Sequence, residues 1–455
     1  MSMTDARAVP VSSSNAQALA IFERALYQLQ TYRGDPVATI DAALAEDPDF
    51  VIGHILRAAV HITLWERSVV PEVEAGLTRL AELDGISNDR ERTWVAAMQA
   101  WDSGDWQGFR AQLDALLTRY PRDALALQVG HIADFYHGDR DNLRARIARA
   151  MPLWSPDVLG YGFVLGMSAF GHEECGDYAR AEEAGRHAIE LDPDDSWAHH
   201  AITHVMEMQA RQAEGIAWMD ARRDHWAQED NAFAYHNGWH NAIFHLDLDH
   251  TAEVLAIYDQ RVRPGDSPMQ IELVDAVALL WRMYLRGIEV GDRWNAVARA
   301  YEAVDEGGFY AFNDMHAMMA YAATGRLKQA DGVLAAMRKA ASADTTNAWM
   351  TREVGLPICQ AIAAFGRERY GEAVDLLMPV RYRAHAFGGS HAQRDIVHRT
   401  IQEAALRDGQ HDLAYALACE RTALKPHCPF SWQLRSVAFR RLESASNNGA
   451  ILRRA

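Results

Sequence analysis

Histidine and glutamate side chains recur at helical spacing in one short region of the chain. Seven of the 20 histidines lie between residues 197 and 245. On an α-helix, residues three and four positions apart fall on one face, so this spacing predicts two polar stripes on consecutive helices. The stripes consist of His200, His204 and Glu207 on the first helix, and His236 and His240 on the second.

These stripes have the residue types of a divalent metal site. His200, His204 and either His236 or His240 would supply nitrogen ligands, with Glu207 as a further ligand or a base. Imidazole together with carboxylate suits a divalent ion such as zinc. The HxxxHxxE spacing differs from HExxH, so it indicates a site without identifying a reaction.

Two metal-free chemistries fit the same residues. Proton transfer would use a histidine held by a carboxylate, and Asp314 with His316, or His391 with Asp395, are further pairs of this kind. Alternatively, Arg394 and His391 would capture an anion at a helix N-terminus. The predicted catalytic residues are His204, Glu207, His240, Asp314, His316, His391, Arg394 and Asp395.

A purely structural interpretation competes with all three chemistries. A histidine on an inward helical face is commonly a hydrogen-bonded core residue, and buried aspartates commonly cap helices or form ion pairs. The tryptophans of this region, such as Trp197 and Trp239, would then pack the core. If they instead line a cavity, they favour a flat or apolar ligand group.

The elements that must position these side chains are helices. Period-two runs are nearly absent, whereas helical patterning continues from about residue 15 to about 442. Gly104, Gly176 and Gly409 are each followed by a proline 17 residues later, which indicates a repeated helix-turn-helix unit. Such units bury their apolar faces by stacking, so the sequence predicts an all-α solenoid of degenerate tetratricopeptide-like repeats, wound into a compact superhelix. The two stripes, the Asp314–His316 pair, the His391–Asp395 segment and a further pair, His131 and Asp134, make five polar sets, and all are predicted to fall on the inner helices.

The predicted organisation is one large helical body between two short ends. We expect a disordered N-terminus over residues 1–15, a single superhelix over 16–442 and a C-terminal tail over 443–455. Stretches rich in glycine and proline suggest soft joints near 263–269 and 388–391.

Composition narrows the partners and the compartment. A net charge of −17 disfavours nucleic acid, because phosphate binding needs a basic surface. The four cysteines lack CxxC spacing, and no apolar stretch is long enough for a signal peptide or a membrane helix. We therefore expect a cytoplasmic protein with reduced thiols and no membrane partner, and a homodimer by base rate.

Several motifs together resemble a known family. They are the run from Tyr161 to Met208, HNGWH at His236–His240, NDMHAMMA at Asn313–Ala320 and GGSHAQRD at Gly388–Asp395. This pattern, from about residue 20 to about 440, is similar to the tetratricopeptide repeat protein 38 family. The resemblance implies one compact body of degenerate helical repeats in a soluble protein, and it implies no particular reaction. His199 and His225 depart from the family's pattern.

Two functions of different classes follow from the sequence. The first is an enzyme or binding protein for a small molecule, of the hydrolase or lyase type and metal-dependent if the stripes bind an ion, with His204, Glu207 and His240 central. The second is a non-enzymatic scaffold that binds a peptide or protein in its concave groove. The inner stripes are rich in histidine, tryptophan and methionine and poor in lysine, which favours the first.

Overall fold

The computed structural model describes residues 3–304 and 307–452, with side chains up to residue 445. In this part of the chain the structure is helical apart from one two-stranded hairpin, β1 Met3–Thr4 and β2 Pro10–Val11. The α-helices are α1 Ala16–Thr31, α2 Pro36–Glu46, α3 Val51–Ile62, α4 Val70–Glu82, α5 Asp89–Asp102, α6 Trp106–Arg119, α7 Ala124–Tyr136, α8 Arg140–Ala150, α9 Tyr161–Glu174, α10 Tyr178–Leu191, α11 Ser196–Met208, α12 Gln212–Ala221, α13 Arg223–Trp226, α14 Ala234–Asp247, α15 Thr251–Ile257, α16 Gln270–Leu285, α17 Arg293–Val304, α18 Ala311–Ala323, α19 Leu327–Ala340, α20 Thr346–Met350, α21 Leu356–Gly366, α22 Tyr370–Leu377, α23 His391–Arg407, α24 His411–Leu424 and α25 Pro429–Leu452.

Short 3₁₀ and π segments join some of these helices. The 3₁₀ segments are Arg67–Val69, Met151–Leu153 and Arg381–Phe387, and the π segments are Tyr258–Val262 and Thr351–Gly355. Within the described ranges, no helix is both long enough and apolar enough to cross a membrane.

The turns between paired helices lie where the glycines predict them. Gly104, Gly176 and Gly409 each follow a helix by two residues and have φ of 82°, 80° and 77°. This left-handed backbone conformation is one that glycine adopts without steric cost. Consecutive helices joined by such turns pack on each other, as α5 does on α6 and α9 on α10. The predicted all-α solenoid of helix-turn-helix units is confirmed.

The two ends of the chain differ from the expectation. Residues 3–15, where composition predicts disorder, form the hairpin and the N-terminal cap of α1. The Asp5 carboxylate accepts hydrogen bonds from the backbone N–H of Arg7 and Val9 at 2.9 and 3.0 Å, and the side chains of Val9 and Val11 are buried. These two buried valines anchor the segment, although its average composition is polar. At the other end α25 continues to Leu452, through most of the predicted tail. Residues 1–2 and 453–455 of the predicted ends lie outside the described residues.

The chain forms two compact units, each assembled from separate stretches. The first unit contains residues 1–202, 223–234 and 342–349, and the second contains residues 203–222, 235–341 and 350–455. One boundary falls inside α11, between Ile202 and Thr203. The predicted soft joints at 263–269 and 388–391 both lie inside the second unit, and they remain predictions.

Hydrogen bonds attach the two late stretches of the first unit to its early turns. The backbone N–H of Ala232 donates to the Tyr32 carbonyl at 2.7 Å, and that of Gly34 donates to the Asp230 carbonyl at 2.9 Å. Likewise the N–H of Thr346 donates to the Gly104 carbonyl at 2.9 Å. Turns early in the sequence therefore receive partners from much later in the chain.

The second unit is built around α16. Every residue of this helix from Leu273 to Met283 is buried, which is typical of a helix surrounded by others. It packs against α17, α18 and α23. Two of its buried residues, Asp275 and Arg282, have ionisable side chains.

Candidate functional site

Three histidines meet inside the second unit. His204 lies near the end of α11, and His236 and His240 lie one turn apart on α14. The rings of His204 and His240 have centroids 4.4 Å apart, and those of His236 and His240 are 4.9 Å apart. One ring nitrogen of each lies within 4.8 Å of one from each of the other two. We call these residues the three-histidine cluster.

Two members of the cluster are held by buried carboxylates. The Nδ1 atom of His236 is 2.6 Å from Oδ2 of Asp275, and the Nδ1 atom of His240 is 3.1 Å from Oε2 of Glu207. An ionised carboxylate only accepts hydrogen bonds, so each Nδ1 carries a proton, and the neutral form of each ring has its lone pair on Nε2. Carboxylate-held imidazoles with this tautomer are typical of histidines that bind metal ions.

The sequence places Glu207 beside His240 through simple helical spacing. Glu207 follows His204 by three residues on α11, so both face the α14 histidines. Its second oxygen, Oε1, lies 3.7 Å from Nζ of Lys425, and both side chains are buried. Glu207 thus bridges a histidine and a lysine, which leaves it suited to orienting His240.

Burial keeps the imidazole of His204 neutral. Removal from water lowers the pKa of His204 well below its ordinary value, and the neighbouring His240 lowers it further, while Glu207 opposes the shift. A neutral imidazole at pH 7 has a lone pair available for a metal ion or a proton. Cation binding at the cluster would therefore require no loss of a proton from His204.

His200 belongs to the first unit, although it is one turn before His204 on α11. Its ring lies 5.2 Å from that of Phe170, 5.1 Å from that of Trp197 and 5.1 Å from that of Phe233, between centroids. The role of His200 as a metal ligand remains a prediction from its spacing.

Asp314 and His316 make local contacts on α18. The Asp314 carboxylate accepts a hydrogen bond from the backbone N–H of Gly308 at 2.9 Å, which steadies the loop before the helix. The Nδ1 atom of His316 donates to the Phe312 carbonyl at 2.8 Å, and burial lowers the pKa of His316 to about 4. The two side chains thus have separate partners, and their joint role in proton transfer remains a prediction.

Asp395 lies in a buried ion network on α23. Its carboxylate is 2.7 Å from Nε of Arg399 and 2.5 Å from Nη1 of Arg421, and Arg399 also reaches Asp247 at 3.1 Å. Burial would raise the pKa of Asp395, but the two guanidinium groups hold it well below the ordinary value. This carboxylate has the environment of a structural ion pair.

His391 and Arg394 lie in the first turn of α23. The Arg394 guanidinium donates to the Gly389 carbonyl, and Ser390 caps the helix by accepting a hydrogen bond from the backbone N–H of Gln393. His391 is partly exposed, and its charge is one of those that lower the pKa of His204. Their predicted part in anion capture stays a prediction.

Sequence reasoning missed Asp275, Lys425 and Arg282. Asp275 and Arg282 interrupt the apolar run ELVDAVALLWRM, and the isolated charges in a helix that is otherwise apolar were the available signal. Buried charges require partners, so each such residue points to a neighbour on another helix. Lys425 follows α24 directly and carries no comparable signal.

No protein-family model matches the sequence. Among solved structures, the chain is similar to yeast Tom70, with 13% identity, a TM-score of 0.37 and coverage of 95% of this chain and 88% of that one. It is also similar to human IFIT1, solved as a dimer with m7Gppp-AAAA, with 11% identity, a TM-score of 0.43 and coverage of 94% and 95%. The TPR domain of P58(IPK) aligns with 13% identity, a TM-score of 0.19 and coverage of 87% and 98%. The fold itself, an all-α array of helix-turn-helix units, is established by the helix pairs described above.

Proposed function

We propose that the three-histidine cluster binds one divalent transition-metal ion, of which zinc is the ordinary biological choice. The observation that carries this proposal is the pair of carboxylate-held rings, His236 with Asp275 and His240 with Glu207, whose cluster nitrogens lie within 4.8 Å of His204. Imidazole nitrogens suit zinc, copper, iron and nickel, and second-shell carboxylates fix the ligand orientation.

The donor set supports a catalytic use of such an ion. Three protein ligands leave a coordination position for water or substrate, whereas structural zinc sites are closed by four. His200 is predicted as a ligand only from its spacing, and a fourth histidine ligand would close the site and favour a structural ion. Glu207, predicted as a ligand or a base, is better placed to orient His240 through the 3.1 Å contact.

The reaction class that fits is hydrolysis or lyase chemistry on a small molecule. A bound divalent ion would polarise a carbonyl or phosphoryl group and make a bound water more acidic. The surrounding protein would supply orientation and proton transfer, for which His316 and His391 of the predicted catalytic set are candidates. We also infer, from sequence resemblance and composition, a cytoplasmic member of the tetratricopeptide repeat protein 38 family that does not bind nucleic acid or membrane and forms a homodimer.

Elemental analysis of the purified full chain tests the metal site. We expect close to one transition-metal ion per chain in the native protein, and loss of that ion in His204→Ala and in His240→Ala. His245→Ala is the matched control, because His245 is on the same helix but pairs with His250 rather than with the cluster. Circular dichroism of each variant reports whether the helices remain folded.

Each result decides between the two functions. Metal lost in the cluster variants and kept in the control supports the metal-dependent enzyme. Native protein that contains no metal and takes up neither zinc nor cobalt on dialysis would contradict it. If the cluster variants of such a protein also unfold, the histidines hold the core, and a scaffold that binds a peptide or protein becomes the better interpretation.

A further inference from the structure

Arg282 is a fully buried cation close to the three-histidine cluster. Its guanidinium lies over the indole of Trp239, with Cζ 5.1 Å from the ring centroid. The same indole stacks on His236 at 5.5 Å and meets His240 edge-on at 4.8 Å, between centroids. Arg282 and two histidines of the cluster therefore contact the same indole side chain.

The hydrogen bonds of Arg282 leave its charge uncompensated. Nη1 donates to the Ala278 carbonyl at 2.8 Å and Nη2 donates to the Ala392 carbonyl at 2.6 Å. Both acceptors are neutral, and three of the five guanidinium N–H groups have no such bond. Among the described residues no carboxylate oxygen lies within 4.0 Å of this guanidinium. An unpaired buried charge is costly unless a ligand neutralises it.

The nearby carboxylates are committed to other cations. Asp395 binds Arg399 and Arg421, and Asp247 binds Arg399. Glu207 faces Lys425 and His240, as described above. Burial and the charge of Arg399 lower the pKa of Arg282 to about 10, which leaves it protonated at pH 7. Three carboxylates, Asp395, Glu207 and Asp247, thus act on Arg282 from a distance, and none of the described ones forms a direct ion pair with it.

Two further features make this place suitable for an anion. The bond to the Ala392 carbonyl places Arg282 at the first turn of α23, a 17-residue helix whose N-terminus favours negative charge. The ring of His316 is also buried here, within electrostatic range of Arg282, and its Nε2 atom has no hydrogen-bond partner among the described residues. A buried nitrogen without a partner is the kind of group that a bound ligand satisfies.

We infer that the small molecule acted on at the three-histidine cluster carries a carboxylate or phosphate group, and that Arg282 binds this group at the N-terminal turn of α23. This inference rests on the proposed function and adds a substrate class to it. A guanidinium pairs with the planar edge of either oxyanion through parallel N–H···O bonds. The metal ion and Arg282 would then hold the two ends of one anionic substrate.

Isothermal titration of the zinc-loaded full chain tests the inference with three probes: acetate, inorganic phosphate and the neutral analogue acetamide. We expect saturable binding of acetate or phosphate, and no binding of acetamide. The oxyanion that binds more tightly shows whether the anionic group of the substrate is a carboxylate or a phosphate. In Arg282→Gln the affinity for that anion should fall roughly tenfold or more, because a hydrogen bond to a charged group is lost.

Arg286→Gln is the matched control, since Arg286 follows α16 directly, four residues after Arg282, and pairs with Asp249. Its anion affinity should stay within about twofold of the native value. Arg282→Lys is the second variant. It keeps the positive charge and loses the planar, paired N–H donors of the guanidinium, so we expect it to fold and to bind the anion more weakly than native protein.

The outcomes separate this inference from the metal proposal. Zinc-loaded native protein that binds neither anion, or that binds one equally well after both Arg282 substitutions, overturns the inference and leaves the metal stoichiometry intact. An anion that coordinates only the metal would bind equally well after both Arg282 substitutions. If the protein has no metal site, the elemental analysis finds no bound metal. The same titration of the metal-free protein then shows whether Arg282 binds the oxyanion alone.

Discussion

At the scale of single residues, two carboxylates give the three-histidine cluster its character. Asp275 and Glu207 accept hydrogen bonds from the Nδ1 atoms of His236 and His240, and both carboxylates are buried. Without them, each ring could present either nitrogen to the cluster, and its orientation would depend on packing alone. The carboxylates therefore decide which nitrogen faces a ligand.

Substitution of Asp275 should weaken metal binding without removing a ligand. In Asp275→Asn the charge that favours the Nδ1-protonated ring of His236 is lost, so we expect metal affinity to fall about 10–100-fold. Competition with a chelator of known affinity measures the change. Asp331→Asn, which alters an exposed carboxylate paired with Arg367, should leave the affinity unchanged. Equal affinities in Asp275→Asn and native protein would show that this carboxylate does not orient a ligand.

Substitution of Asp395 should lower stability and leave metal binding unchanged. Its contacts with Arg399 and Arg421 indicate that Asp395→Asn leaves two guanidinium groups short of a buried partner. We expect the free energy of unfolding to fall by about 3–5 kcal/mol, measured by urea denaturation. The metal content of the folded variant should remain native. A variant of native stability that fails only in turnover would instead support the catalytic role predicted from the sequence.

At the scale of elements, glycines perform two different tasks. Gly409 has φ of 77° in the turn between α23 and α24, and a Cβ there would meet no atom within 4 Å. Gly366, at the end of α21, faces α18, and a Cβ there would lie 2.7 Å from Cβ of Ala322. Conformation matters at the first position and close helix packing matters at the second.

Alanine substitutions should separate these tasks. We expect Gly409→Ala to cost about 1–2 kcal/mol for the left-handed backbone, and Gly366→Ala to cost about 1–3 kcal/mol for overpacking. Gly332→Ala is the control, because Gly332 is exposed in the middle of α19 with open space around it; it should stabilise the protein by about 0.5–1 kcal/mol. Urea denaturation measures all three. A stabilised Gly366→Ala variant would mean that α18 and α21 are not in close contact.

The sequence predicts the helices and turns better than it predicts which helices pack against each other. The glycine turns and helical periodicity depend on local chemistry, so the solenoid of helix pairs followed from them. The spacing of His236 and His240 and of His204 and Glu207 also follows from one helix at a time. The contact of His236 with Asp275 depends instead on which distant helix packs against α14, and local spacing carries no information about that. The contact of Asp395 with Arg421 depends in the same way on how α23 and α24 pack together.

At the scale of the whole molecule, buried histidines link stability to pH. Burial lowers the pKa of His131 to about 3, and those of His137 and His316 to about 4. In the unfolded chain each returns to about 6.5, so the unfolded state binds more protons below that pH. The free energy of unfolding should therefore fall as the pH decreases from about 6.5 towards 4, by up to about 1.4 kcal/mol per pH unit for each histidine.

A double variant tests this dependence. His137→Asn and His316→Asn should retain the donor that Nδ1 provides to the carbonyls of Ala133 and Phe312 while removing the titration. Urea midpoints at pH 7, 6 and 5 should decline less steeply in the double variant than in the native protein. His187→Asn, an exposed substitution, should reproduce the native slope. An unchanged slope in the double variant would assign the acid sensitivity to other groups.

The division of the first unit into separate stretches has a consequence for translation. A ribosome releases residues 1–202 long before it reaches residues 223–234 and 342–349, which belong to the same unit. Until then the Tyr32 carbonyl lacks the Ala232 amide, and the Gly104 carbonyl lacks the Thr346 amide. Most of the second unit emerges in between, so the first unit receives its last stretch only after most of the second has been synthesised. A nascent chain that stalls before residue 342 leaves both of them incomplete.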